Sequence, residues 1–264
     1  MPRQARKKSK SRIYHVILRG TNRKEIFHDD EDRIRYLGTL KKSKNNNNNS
    51  YKVLGWCLMS NHLHLLLQEG EMNLAEIIKR TAVSYVRYYN HKYYNIGHLF
   101  QDRFRSEPVE NEAYLLTVIR YIHQNPVKAG MVKKPVNWKW SSCRGYYKKN
   151  IHLHELLDVD IVLGTFSKNR KEAIELFKEF NEAQNTDTCL DDMNGVRLTD
   201  EKAREEINKV ISSLGLDIKE VQGLAKRKRD KVLLKIKELD GVTQRQAARI
   251  LEISPSMIFK AKKE

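Results

Sequence analysis

The sequence predicts an α+β chain: an antiparallel sheet covered by helices, followed by a small all-α helix-turn-helix module. Three observations carry that expectation. Through about residue 150, segments of strand composition alternate with segments of helical apolar spacing, joined by short connections. No Gly-rich dinucleotide or P-loop fingerprint follows any of the strands, which argues against a parallel nucleotide-binding sheet. From about residue 198 the chain becomes helical and basic, and two short helical stretches flank a break.

Taken in order, IYHVIL at 13–18 is rich in β-branched and aromatic residues and stops at Gly20, as a strand does. Asp29 and Asp30 can cap a helix running to about Lys42, with Ile34, Leu37 and Leu40 at helical spacing. Residues 43–50, rich in Ser and Asn, suit an exposed loop. YKVLGWCLM at 51–59 and HLHLLLQ at 62–68 predict two paired strands separated by Ser60 and Asn61. From Asn73 to about residue 94 the positions of Leu74, Ile77, Ile78, Val83 and Val86 predict a long helix ending in a cluster of tyrosines. GHLFQDRFRSEPVE contains a further strand. Residues 111 to about 124 are helical, anchored by Leu115, Leu116 and Ile119, and Pro126 limits their continuation. This first unit spans 1–150. A helical connector and linker spans 151–197, with a charged helix at 169–184 and polar linker composition at 185–197. The last unit, 198–264, carries TQRQAARILEISPSMIFKAKK. Ala247, Ala248 and Leu251 form a small apolar face there, and Ser254 caps a second helix that begins at Pro255.

Composition narrows the partners. The 264 residues include 50 Lys and Arg against 33 Asp and Glu, a formal charge of +17 that attracts a polyanion such as nucleic acid. No run of 18 apolar residues exists to span a membrane, and MPRQARKKSKSR lacks the apolar stretch of a secretory signal, so a cytoplasmic protein is expected. Cys57, Cys143 and Cys189 are odd in number and widely spaced, which supports neither a disulfide framework nor a cysteine-rich zinc site.

Two local patterns can carry chemistry. On a strand, residues two apart share a face, so His62 and His64 would present both imidazoles together while Leu63 and Leu65 enter the core. Alone, that pair fits imidazoles hydrogen-bonded at a sheet surface as well as a metal site. In YIHQNP, Tyr121 and Asn125 are four apart and share a helix face. A phenol and an amide could meet the histidines there, and an aromatic anchor with an Asn and Pro stop would look the same. Tyr85, Tyr88, Tyr89, Tyr93 and Tyr94 crowd one helix end, which argues for packing, with base stacking as the alternative. Lone His98, His123, His152 and His154 read as structural.

Together YHVILRGTNRKEIFHDDEDR, MSNHLHLLL, GHLFQDRFRSEPVE, YLLTVIRYIHQNPVKAGMV and WKWSS resemble, in family order over residues 13 to about 147, the His-hydrophobic-His (HUH) tyrosine transposases acting on single strands. The resemblance is nearest to the REP-associated tyrosine transposases. It implies a ferredoxin-like sheet on which His62 and His64 bind a divalent metal, Mg²⁺ or Mn²⁺, with Asn125 as third ligand. It also implies that Tyr121 is the nucleophile that cleaves and rejoins single-stranded DNA through a 5′-phosphotyrosine. The implied partner is single-stranded DNA with hairpin-bearing element ends or repeats, and a homodimer is possible within the family.

Arg103 and Arg105 flank Phe104 and can track a DNA backbone, although solvated strand charge reads the same. In the last unit the second helix, with Ser256 and Lys260, would lie against duplex DNA, and Gln244 and Arg245 near phosphates. A plain helical hairpin is the other reading of that unit. Two further functions compete with the transposase: a non-cutting DNA-binding regulator derived from one, and a relaxase or replication-initiator nickase. A zinc hydrolase fits poorly, because no helical His-Glu-x-x-His is present.

Overall fold

A computed structural model describes residues 6–45, 51–147, 153–187, 189, 198–239, 241–242 and 244–261. The chain divides into two compact units, Met1–Leu190 and Asp191–Glu264, each with its own apolar core.

The first unit is built on four strands, β1 (Ile13–Arg19), β2 (Tyr51–Leu58), β3 (His62–Glu69) and β4 (Arg105–Pro108). Their order is β2-β3-β1-β4 and every neighbouring pair is antiparallel. Helix α1 (Asp30–Asn45) connects β1 to β2, and α2 (Leu74–Lys92) connects β3 to β4. This βαββαβ order with a 4-1-3-2 sheet is the ferredoxin-like arrangement the resemblance implied, on an α+β frame. Helix α3 (Glu112–Lys128) follows, then the short α4 (Cys143–Tyr146) and α5 (Asp160–Leu163), and α6 (Arg170–Glu182).

Local chemistry explains the element ends. Asp29 Oδ1 accepts from the Asp32 amide at 2.9 Å, Asn73 caps α2 through the Glu76 amide, and Asn111 caps α3 through the Tyr114 amide. Two apolar positions of the periodic reading, Ile34 and Val83, are exposed instead of buried. On α1, Tyr36 joins Leu37 and Leu40 in the core while Ile34 is exposed, and on α2 Val83 is exposed while Tyr85 and Tyr89 are buried. Tyr88 and Tyr93 are structural: they donate to the buried Asp32 at 3.1 and 2.8 Å, and Lys92 pairs with the same carboxylate at 3.1 Å, whereas Tyr94 is exposed. Asp32 thereby ties α1 to α2, its charge paired and hydrogen-bonded as burial requires.

Helix α3 does not stop before Pro126. It runs through Pro126 to Lys128, because a proline in the final turn forfeits only the one amide that would bond to the Ile122 carbonyl. The next bond is restored by the Ala129 amide on the Asn125 carbonyl at 2.9 Å. Asn125 is therefore helical, one turn from Tyr121 on the same side.

Residues 153–187 and 189, within the stretch read from sequence as connector and linker, build onto the first unit. Phe177 of α6 is fully buried and stacks on Tyr146. After α6, Asp187 forms a two-pronged pair with Arg120 of α3 at 2.7 and 3.0 Å, and Gln124 donates to the Asn181 and Ala183 carbonyls. The remaining linker positions, 188 and 190–197, lie outside the described residues, as do 46–50 of the Asn-rich loop and His152.

The second unit contains α7 (Asp200–Ser213), α8 (Lys226–Lys237), α9 (Gln244–Ile250) and α10 (Pro255–Lys260). Ile207, Ile211, Leu233, Ile236, Ala247, Leu251 and Ile258 fill its core. Between α9 and α10, Glu252 takes a left-handed φ of 55° and Ser254 accepts from the Ser256 amide at 3.3 Å, which produces the break between the two helices and the cap of the second.

Candidate active site on the sheet beneath α3

Alternation on three strands assembles one polar patch. On β3, His62 and His64 point to the same side, and on β1 His15, Ile17 and Arg19 share it, since Ile17 pairs with His64 and Arg19 with His62. On β4, Glu107 lies opposite His15 and Arg105 opposite Ile17. Helix α3 crosses this face closely because β2 offers Gly55, where an added Cβ would stand 2.4 Å from Ile119 Cδ1. That approach sets the Tyr121 ring edge-on to His64 at 5.8 Å and to His15 at 6.0 Å. It also brings Asn125 Nδ2 to 3.2 Å from His64 Nε2.

Four residues singled out in sequence, His62, His64, Tyr121 and Asn125, therefore converge. His62 and His64 lie with ring centroids 5.0 Å apart, edge to face. His62 Nδ1 bonds to Asn61 Oδ1 at 2.6 Å and His64 Nδ1 to His15 Nε2 at 3.0 Å. In both rings Nδ1 is engaged, so Nε2 is the nitrogen that could serve as a ligand. Burial pushes the His64 imidazole well below the ordinary histidine range, reinforced by His62, His15 and Arg19. It is thus neutral at pH 7, as a metal ligand must be. Tyr121 is buried, and Lys128 Nζ stands 4.6 Å over its ring while donating to the Asp187 carbonyl at 2.7 Å.

The donor set fits a small divalent cation. In an octahedron with bonds of about 2.1 Å, adjacent ligand atoms lie about 3.0 Å apart. The 3.2 Å between Asn125 and His64 matches that once the amide turns its oxygen inward. Among the described residues a second group, His15, Glu107 and Cys189, places one potential ligand atom each within 4.8 Å of the others. Its His15 Nδ1 to Glu107 Oε1 separation of 2.6 Å is that of a charge-assisted hydrogen bond and is shorter than adjacent ligands of one ion adopt. Cys189 is also a soft ligand poorly matched to Mg²⁺ or Mn²⁺.

The other predicted residues are spread more widely. Arg105 opens β4 on the histidine face, and Arg103 is exposed in the turn before it. Gln244, Arg245, Ser256 and Lys260 are exposed on the second unit. Sequence reasoning passed over His15, Glu107, Asn61 and Lys128. The strand alternation that paired His62 with His64 also gives His15 and Ile17 one face, but assigning Glu107 to it required the β1–β4 register.

Comparisons with known proteins give three similarities. Residues 8–125 match the model of the family described as Transposase IS200 like. This segment is thus similar to the IS200-like transposases. A curated Haemophilus influenzae protein bearing the name REP-associated tyrosine transposase is 26% identical over 113 residues, 39% of this chain. The match spans 64% of that relative's length. The solved structure of a REP-associated tyrosine transposase bound to a REP hairpin is similar at 18% identity and a TM-score of 0.47, covering 72% of this chain and 95% of the other. The matched segment contains β1 to β4 and most of α3, and so every residue of the patch from His15 to Asn125. No helix among the described residues is long and apolar enough to cross a membrane.

Proposed function

We propose that the chain is a transposase that cuts and rejoins single-stranded DNA by transesterification through Tyr121. The observation that carries this reading is the convergence of His64 from the sheet and Asn125 from α3 at 3.2 Å, one helical turn from Tyr121. His62, His64 and Asn125 would hold Mg²⁺ or Mn²⁺, which when bound offsets the charge that develops on the scissile phosphate. The Tyr121 oxygen attacks phosphorus, the bond from phosphorus to the 3′ oxygen breaks, and the products are a 5′-phosphotyrosine and a strand ending in 3′-OH. The ester retains the bond energy, so a later 3′-OH can displace the tyrosine without ATP. An ordinary phenol ionises near pH 10, so attack requires removal of its proton, and Lys128 Nζ stands 4.6 Å over the ring.

Tyr121 is buried, so the strand would have to reach it from the histidine face, where Arg105 and the neighbouring Arg103 would guide its backbone. The proposed substrate is single-stranded DNA with hairpin-bearing ends or repeats. Gln244, Arg245, Ser256 and Lys260 on the helix-turn-helix unit would add contacts to duplex DNA. We take residues 1–150 as the catalytic part, 151–197 as connector and 198–264 as this DNA-binding part.

Labelled single strands from the flanks of the gene, incubated with protein and Mn²⁺, test the reading on denaturing gels. A covalent protein–DNA band that disappears in Tyr121→Phe and His62→Ala is expected. Tight binding with no band on any flank would instead favour a regulator that does not cut.

A further inference from the structure

We infer that Glu107 and His15 are positioning residues that fix the proton of His64 on Nδ1 and so aim its Nε2 lone pair at the cation site. The inference rests on the reading of His62, His64 and Asn125 as that site. Three contacts form one chain: Glu107 Oε1 to His15 Nδ1 at 2.6 Å, His15 Nε2 to His64 Nδ1 at 3.0 Å, and His64 Nε2 to Asn125 Nδ2 at 3.2 Å. His15 and His64 are both fully buried, and their rings stack with centroids 5.3 Å apart. Water therefore does not compete for these nitrogens. The register explains the first contact, since His15 and Glu107 are directly paired across β1 and β4. A hydrogen bond from the Tyr114 side chain holds Glu107 in turn.

The chemistry of its ends sets the direction of the chain. A carboxylate only accepts, so the proton of the first bond belongs to His15 Nδ1. An amide nitrogen only donates, so His64 Nε2 carries a lone pair, and the single proton of a neutral His64 lies on Nδ1. His15 Nε2 accepts that proton's bond. Every donor then meets an acceptor from Glu107 to Asn125, with one arrangement of protons. When Asn125 turns its oxygen toward a cation, His64 Nε2 already presents its lone pair and no proton must leave. Ligating histidines are commonly oriented by such a partner on the other ring nitrogen. His62 has a shorter version, in which Asn61 Oδ1 holds its Nδ1 at 2.6 Å.

Glu107→Gln tests this with little change in shape. The new amide can donate to His15 Nδ1, which moves the His15 proton to Nε2, reverses the next bond, and leaves the His64 proton on Nε2, where it blocks the ligand atom. Two readouts on the full-length protein apply: long-range ¹H–¹⁵N correlation spectra of the imidazoles without metal, and Mn²⁺ affinity by electron paramagnetic resonance. The wild type is expected to show His64 protonated on Nδ1. Glu107→Gln should show it on Nε2, with Mn²⁺ affinity reduced about 10- to 100-fold. Glu107→Asp, which restores a carboxylate, should return the Nδ1 form and part of the affinity. A wild-type His64 protonated on Nε2, or a Glu107→Gln protein with unchanged tautomer and affinity, overturns the inference. If the wild type binds no Mn²⁺, the cation site itself fails, and the metal-free spectra alone decide whether the chain orders the protons.

Discussion

At the residue scale, His123 shows how one histidine on α3 serves packing while its neighbour Tyr121 serves the patch. Its Nδ1 donates to Asn181 Oδ1 at 3.1 Å and its Nε2 meets Ser142 Oγ at 2.9 Å, in full burial. Burial pushes its pKa down to about 3, against a smaller opposing pull from Asn181. Between that value and the ordinary histidine pKa near 6.5 the unfolded chain takes up a proton that the folded one refuses. Stability should therefore fall as pH drops below about 6.5, by up to about 1.4 kcal/mol per pH unit for this group. His64, depressed in the same direction, adds to the trend. Urea melts at pH 7.5 and 5 should show the loss, and His123→Gln should shrink it; a loss of the same size in that variant would count against the assignment. Residue identities were partly legible beforehand. His62 and His64 announce themselves because a period of two repeats an uncommon side chain. His15 occurs once in an apolar strand, where a single histidine looks like a satisfied core residue, and Glu107 gains its meaning only from the strand it faces.

At the element scale, the patch depends on how near α3 comes to the sheet, and Gly55 sets that distance. It sits beside a register irregularity between Val53 and Gly55 of β2. Gly55→Val would force Ile119 aside and is expected to cost about 1–3 kcal/mol as overpacking. It should also weaken Mn²⁺ binding by moving Asn125 from His64, measured by denaturant melts and metal titration on the same sample. Unchanged metal affinity in a destabilised protein would separate α3 packing from the site. A second tie, Arg120 to Asp187, is partly buried and two-pronged, so Asp187→Ala should lower stability by about 1.5–3 kcal/mol, read from thermal or urea melts. A melt that matches wild type would show the tie to be passive. The strands, α1, α2 and the start of α3 were legible from periodicity and caps. The end of α3 was not, since the reading treated Pro126 as a stop whereas the final turn tolerates it. Nor did polar composition after α6 reveal that Asn185 and Asp187 are bonded to α3.

At the scale of the whole molecule, a +17 chain with two separate cores suits two contacts with one polyanion. If the division of labour proposed here holds, Arg245→Glu with Lys260→Glu should reduce duplex affinity and flatten its dependence on salt. The same double variant should leave cleavage of a short single strand intact, because both residues belong to the second unit. Equal loss of both activities would mean the units do not act separately. Net charge and helical breaks made the second unit visible in sequence, but not which of its basic residues meet DNA. The central claim concerns one oxygen atom, and peptide mapping of the covalent product tests it most directly. After cleavage of a flank strand in Mn²⁺, nuclease treatment and trypsin digestion, residues 121–128 (YIHQNPVK) form a fragment with a single tyrosine. The account predicts that this fragment carries a 5′-linked nucleotide on Tyr121; a nucleotide on any other tyrosine peptide would contradict it.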